Sequence, residues 1–194
     1  MKRQAFLVLV FLSGLDTATA QTPVIEIQLK NDSQTERAAR AQMVAIFAKY
    51  DLKPYVFTHR ILIEDGIIPH SHPILTLSTG YHDRELEALA TFLHEQMHWR
   101  VDEERDPKAK AAIAEFQSLF PDAPDRSGGG ARDRFSTYLH LVVCDLELQS
   151  MTRLVGAERA RETLRAANHY RWIYDRVLND ARIREVNRRH GFIL

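Results

Sequence analysis

Apolar and polar residues alternate in three short stretches of the first half of the chain. These stretches are residues 24–30, 55–64 and 74–79, and each is rich in β-branched or aromatic side chains. Between the first two, apolar residues recur three and four apart over residues 36–50, the spacing of one helical face. The pattern therefore predicts a small sheet and one helix before residue 80.

The rest of the chain has helical spacing almost throughout. One helix is predicted over residues 84–104 with Asp83 as its N-cap, and a second over 107–120 beginning at Pro107. A strongly apolar helix follows over 133–155, and Gly156 is a typical stop signal. The charged remainder is helical with a break near Asn168. Strands first and helices afterwards predict an α+β fold with a helical C-terminal half.

The N-terminus has the build of a secretory signal peptide. Lys2 and Arg3 precede an apolar segment over residues 5–15, and small residues stand at Ala18 and Ala20. This predicts cleavage after Ala20, a secreted or periplasmic protein, and one domain over residues 21–194. An N-terminal anchor helix is the alternative interpretation. The apolar segment is shorter than the roughly 20 residues of a membrane-spanning helix, and no later segment is long and apolar enough to span.

The charge balance and the single cysteine argue against nucleic-acid binding and against a disulfide-stabilised fold. The chain has 26 basic and 26 acidic residues, and this balance argues against broad nucleic-acid binding. Cys144 is the single cysteine, so an intramolecular disulfide is impossible. We interpret Cys144 as a small buried apolar residue. The fold must therefore be stabilised by its core, with or without a metal.

The stretch TFLHEQMHWR, residues 91–100, contains an H-E-x-x-H motif within a predicted helix. Residues four apart share one helical face, so His94 and His98 can bind a single ion. Zinc suits neutral imidazole ligands. Glu95 points roughly 100° around the helix, where it is placed to accept a proton from an attacking water instead of binding the metal. The motif predicts a zinc site with its own general base.

A third ligand is expected from the apolar helix at residues 133–155. His140, Cys144 and Glu147 lie on one of its faces, at helical spacing. A glutamate among apolar residues is costly to bury without a partner, and a metal ion is one such partner. A salt bridge from Glu147 to a C-terminal arginine is the structural alternative. The residues leave open whether Glu147 or His140 completes the site.

The sequence HEQMH followed by a glutamate on a later helix resembles the gluzincins, zincin-type metallopeptidases with two histidines and one glutamate as zinc ligands. The resemblance covers roughly residues 55–155. It implies a compact zincin-like domain in which His94, His98 and Glu147 hold zinc and Glu95 is the general base. It also implies that His140 stabilises the oxyanion and that strand 74–79 is an edge strand on which an extended peptide or protein substrate pairs.

The chain departs from this family in two respects. Met151 stands where thermolysin-like members have an aspartate that orients a ligand histidine, and the longer metzincin motif is absent. Asp102 is a candidate for that orienting role. Other open assignments are His140 as third ligand with Glu147 behind it, and His169–Tyr170 as an aid to the oxyanion. The four histidines at 59, 70, 72 and 82 are expected in loops.

Three functions are compatible with these residues. The first is a zinc peptidase that hydrolyses a peptide bond. The second is a zinc hydrolase of another amide, such as one in cell-wall peptide. The third is a non-catalytic binding or inhibitory module on a zincin scaffold.

Overall fold

The computed structural model describes residues 8–10, 25–102 and 105–194. The chain divides into two compact units, Met1–Gln96 and Met97–Leu194, and the boundary lies inside one continuous helix, α2 (Glu85–Arg100). A small sheet in the first unit and helices in the second confirm the predicted α+β class. The predicted signal peptide lies outside the described residues apart from residues 8–10. A single domain over residues 21–194 and a zincin-like fold stay predictions.

The sheet of the first unit has the order β1 (Val8–Val10), β2 (Ile25–Leu29), β3 (Arg60–Glu64), β4 (Leu75–Ser78). Strands β2, β3 and β4 are parallel to one another, and β1 is antiparallel to β2. Alternate residues of β2 and β3 are buried, namely Ile25, Ile27, Ile61 and Ile63, whereas in β4 the consecutive residues Leu75, Thr76 and Leu77 are all buried. The period of two in the sequence therefore corresponds to one buried face in β2 and β3, and β4 is buried on both faces at residues 75–77.

Helix α1 (Gln34–Lys49) connects the parallel strands β2 and β3 and packs on both. It begins two residues before the predicted start because Ser33 and Glu36 form a reciprocal capping box. The Phe47 ring meets the Phe92 ring of α2 edge-on, with centroids 5.2 Å apart. These aromatic side chains belong to the core of the first unit.

The strand predicted over residues 55–64 is wrong in its first half. Only Arg60–Glu64 is a strand, and Tyr55 lies in a short 3-10 helix, Lys53–Tyr55. The side chain of Gln96, fully buried, explains the difference. Its Oε1 accepts the main-chain N–H groups of Phe57 at 2.7 Å and Thr58 at 2.9 Å. Those groups are therefore used by helix α2 and not by a strand ladder.

Helix α2 ends at Arg100, four residues before the predicted end. The chain then turns at Asp102, whose carbonyl accepts the N–H groups of Arg105 and Asp106. The Asp102 carboxylate also accepts the Arg105 N–H, at 3.0 Å. Asp102 therefore caps a turn in this structure. Helix α3 (Pro107–Leu119) follows, with Asp106 as its N-cap.

Helix α4 (Arg134–Val155) is the centre of the second unit and matches its prediction closely. Asp133 caps its N-terminus by accepting the Ser136 N–H, and Gly156 ends it with φ of 86°. Residues 137–151 are all buried. Helices α3, α5 (Ala157–Arg165), α6 (Arg171–Asn179) and α7 (Ala181–Arg189) pack against it. A polar residue on this helix therefore requires a partner inside the protein.

Asp145 shows how α4 satisfies such a residue. Its carboxylate is 1% exposed and accepts Arg184 Nε at 2.8 Å. The Asn187 and Gln149 amides also donate to it, at 3.0 Å each. Burial raises the pKa of Asp145, and the lowering effect of these donors offsets only part of that rise. This network links α7 to the central helix.

The predicted break near Asn168 is confirmed as the segment between α5 and α6. A second break, which the sequence did not predict, occurs at Asp180, which caps α7 by accepting the Arg182 N–H. Among the described residues, no helix combines the length and the apolar character needed to cross a membrane.

Candidate metal centre

Helix α2 presents His94 and His98 one turn apart, as predicted. His94 is 6% exposed, and burial lowers its pKa to about 4 from the ordinary 6.5. The imidazole is therefore neutral near pH 7, which is the form that binds metals. His98 is half-buried, and Glu95 between them is buried. The H-E-x-x-H helix thus carries one interior and one accessible histidine.

His140 on α4 is oriented by its own helix. Its Nδ1 lies 2.6 Å from the Ser136 carbonyl oxygen. A carbonyl only accepts, so Nδ1 carries the proton and Nε2 has the lone pair of a potential ligand. The His140 ring lies edge-on to the His98 ring, with centroids 4.9 Å apart.

Two groups of side chains on α2 and α4 come within metal-binding distance. In the first, one ligand atom from each of His94, His98 and His140 lies within 4.8 Å of the others. In the second, the same limit joins His94, Cys144 and Glu147. The four predicted ligand candidates His94, His98, His140 and Glu147 all occur in these groups, and His94 belongs to both. Cys144 is buried, as predicted, but it also lies at this site.

Glu147 is 1% exposed, and its Oε2 accepts the phenol O–H of Tyr174 at 3.0 Å. Burial raises the pKa of Glu147 to about 8, against the smaller lowering effect of the Tyr174 hydrogen bond. Burial likewise raises the pKa of Tyr174 well above its ordinary value of 10. Sequence reasoning missed Tyr174, because it follows Glu147 by 27 residues with no recognisable spacing. The phenol of Tyr174 is thus one partner of the buried Glu147 carboxylate.

Tyr170 borders the first group. Its ring lies 4.4 Å from the His140 ring, and the residue is half-buried. Its backbone is left-handed, with φ of 52° and ψ of 33°, which is strained for a bulky residue. The Trp172 N–H donates to the Gly129 carbonyl at 3.0 Å and fixes this start of α6. Gly129, with φ of 87°, adopts a conformation that favours glycine.

The histidines at 59, 70, 72 and 82 do not enter either group. His70 has a different role, because its main-chain N–H and C=O both bond with Thr76 of β4, at 3.1 and 2.8 Å. Strand β4 is the last strand in the sheet order, as predicted for residues 74–79. A peptide that paired along this edge at Thr76 would have to displace His70.

No family model, no curated protein and no solved structure matches this chain. Its function is therefore inferred from the side chains on α2 and α4.

Proposed function

We propose that the protein is a zinc-dependent hydrolase that cleaves a peptide bond, with His94, His98 and His140 as the zinc ligands. The observation that carries this proposal is the approach of one nitrogen from each imidazole to within 4.8 Å of the other two. Zinc bonds to histidine nitrogen at about 2.0–2.1 Å in tetrahedral sites. The nitrogen atoms of two such ligands lie about 3.4 Å apart. Small rotations of the side chains would bring the three nitrogens from within 4.8 Å of one another to that separation.

The donor set fits zinc in its chemistry as well as its spacing. His94 is neutral near pH 7 because burial lowers its pKa, and the Ser136 carbonyl fixes the His140 tautomer with Nε2 as the ligand atom. Three protein ligands and an open fourth position are typical of catalytic zinc sites, whereas structural sites have four. His98 and Tyr170 are half-buried, so solvent reaches this side of the three-histidine group.

When bound, zinc supplies a Lewis acid that polarises the scissile carbonyl and makes a water molecule more acidic. Glu95 accepts the proton of the attacking water and passes it to the leaving amine. Tyr170, whose ring lies 4.4 Å from the His140 ring, would donate its phenol O–H to the oxygen of the substrate carbonyl. In this proposal His140 is a ligand, and the oxyanion role that the gluzincin resemblance implies for it passes to Tyr170.

The test compares Glu95→Gln with wild type and with Glu87→Gln, a control on the same helix. Metal content is measured by elemental analysis and cleavage by mass spectrometry of a peptide library, with and without chelator. We expect one zinc in all three proteins and chelator-sensitive cleavage in wild type and the control. Glu95→Gln should lose about 10²–10⁴-fold in rate, the usual contribution of a general base.

Wild-type rates in Glu95→Gln would refute the mechanism. Bound zinc without chelator-sensitive cleavage of any peptide would instead favour a binding module. Turnover restricted to cell-wall peptides would assign the same residues to another amide bond.

A further inference from the structure

Because His94 belongs to both groups at the metal centre, its two ring nitrogens can have separate partners. Imidazole has Nδ1 and Nε2 on different sides of the ring, and in the neutral form one carries a proton and the other a lone pair. Among the described residues, neither group places Glu147 together with His98 or His140. His94 is the side chain that belongs to both groups.

We infer that Glu147, held by Tyr174, is a positioning residue that accepts a hydrogen bond from the second ring nitrogen of His94 and is not a zinc ligand. The inference rests on the proposed function, in which His94, His98 and His140 hold the metal. One nitrogen of His94 then faces the two other histidines and the metal, and its N–H faces the Glu147 carboxylate. This reverses the role that the gluzincin resemblance implies for Glu147.

The surroundings of Glu147 suit this role. Its carboxylate is nearly inaccessible at 1% exposure, whereas an open catalytic site has to admit water and substrate. The phenol of Tyr174, itself 4% exposed, donates to Oε2 at 3.0 Å from helix α6. A buried carboxylate that is fixed from one side is well placed to orient a neighbouring donor on the other.

His140, by contrast, already has the features of a ligand. The Ser136 carbonyl takes its Nδ1 proton at 2.6 Å, so that ring needs no carboxylate to orient it. For His94 the proposed orienting partner is the Glu147 carboxylate of helix α4. A carboxylate behind a ligand histidine fixes the ring and raises its basicity. Loss of such a carboxylate typically weakens metal affinity 10–100-fold and leaves the ligand count unchanged.

The experiment measures zinc affinity and coordination in the full-length protein. Zinc affinity is measured by competition with a chromophoric chelator, and the number of histidine ligands by X-ray absorption at the zinc edge. The variants are Glu147→Gln, Tyr174→Phe and His140→Ala. Asp145→Asn is the matched control, since it removes another buried carboxylate of α4 that is in neither group.

We expect Glu147→Gln to keep one zinc and three histidine ligands while its affinity falls 10–100-fold. Tyr174→Phe should shift affinity in the same direction by a smaller factor. His140→Ala should lose one histidine from the absorption spectrum and lose more affinity than either. Asp145→Asn should bind zinc as wild type does.

Three results would overturn the inference. The first is a wild-type absorption spectrum with two histidines and one carboxylate that loses its oxygen ligand in Glu147→Gln. The second is Glu147→Gln with wild-type zinc affinity. The third is the Asp145→Asn control losing as much affinity as Glu147→Gln, because the loss would then reflect general damage to α4. Failure of wild type to bind zinc would refute the proposed function itself, which separates the two outcomes.

Discussion

Glu147→Gln should change how the stability of the metal-free protein depends on pH. Burial raises the pKa of Glu147 from 4.5 to about 8. Between these values the folded protein holds a proton that the unfolded chain has released, so the free energy of unfolding falls as pH rises. The glutamine variant has no charge to form at any pH and keeps an oxygen that can accept the Tyr174 hydrogen bond. Its stability should therefore lack this decrease.

The magnitude follows from proton linkage. One proton held by the folded state alone changes the free energy of unfolding by about 1.4 kcal/mol per pH unit. Between pH 5 and pH 7, wild type should therefore lose about 2.5 kcal/mol relative to Glu147→Gln. That is a large share of the roughly 5–15 kcal/mol by which domains are stable.

His94 contributes to the pH dependence with the opposite sign and in a lower pH window. Its pKa falls to about 4 in the folded protein, so the unfolded chain binds the extra proton between pH 4 and 6.5. Stability from this group therefore rises with pH through that window and is constant above it. Because Glu147 is the proposed partner of His94, this contribution can differ between wild type and Glu147→Gln below pH 6.5, whereas the change between pH 7 and pH 8 reports Glu147 with little contribution from His94.

The assay is urea unfolding of chelator-treated protein at pH 5, 6, 7 and 8, followed by tryptophan fluorescence. Glu158→Gln, which removes an exposed carboxylate on α5, is the control and should track wild type. The reasoning is refuted if the stability difference between Glu147→Gln and wild type stays constant, within about 0.5 kcal/mol, from pH 5 to pH 8.

Two further substitutions test the packing of each unit. Arg184→Ala should lower the free energy of unfolding by about 2–4 kcal/mol in a urea titration, because it leaves the buried Asp145 carboxylate without its cation. Arg188→Ala is the control, because the side chain of its partner Glu185 is partly exposed, and it should lower the free energy of unfolding by at most about 1 kcal/mol. Equal losses in the two variants would contradict a stabilising role of Arg184 toward the buried Asp145 carboxylate. Gln96→Ala should speed amide hydrogen exchange at residues 57–58 and cost about 1–3 kcal/mol, because their N–H groups lose the acceptor. Unchanged exchange at both amides would show that this side chain does not hold the segment.

Capping and stop residues in the sequence predicted the ends of those helices that are determined by neighbouring residues. Helix α4 has its predicted bounds because Asp133 caps it and Gly156 stops it. The strand predicted over residues 55–64 was too long because Gln96, 39 residues after Phe57, accepts main-chain N–H groups in its first half. Parallel pairing of the strands is likewise a long-range property that alternation does not reveal.

Part of the candidate site likewise follows from local spacing, and the rest depends on how the helices pack. The proximity of His94 and His98 follows from helical spacing alone. The identities of His140, Cys144 and Glu147 as neighbours were predicted from one face of α4, but which of them group with His98 and which with Cys144 depends on helix packing. Tyr174 reaches Glu147 only because α6 packs on α4. Zinc, the zincin-like fold and export stay predictions.

The bond from His140 Nδ1 to the Ser136 carbonyl has a consequence for the design of metal sites. The acceptor is main chain, one helical turn earlier, so it is present whatever side chain occupies position 136. A single histidine in this rotamer, on any regular helix, would therefore present its Nε2 with a defined tautomer and direction. Such a ligand is portable between scaffolds, whereas one that needs a carboxylate from a second element can be transplanted only together with that element.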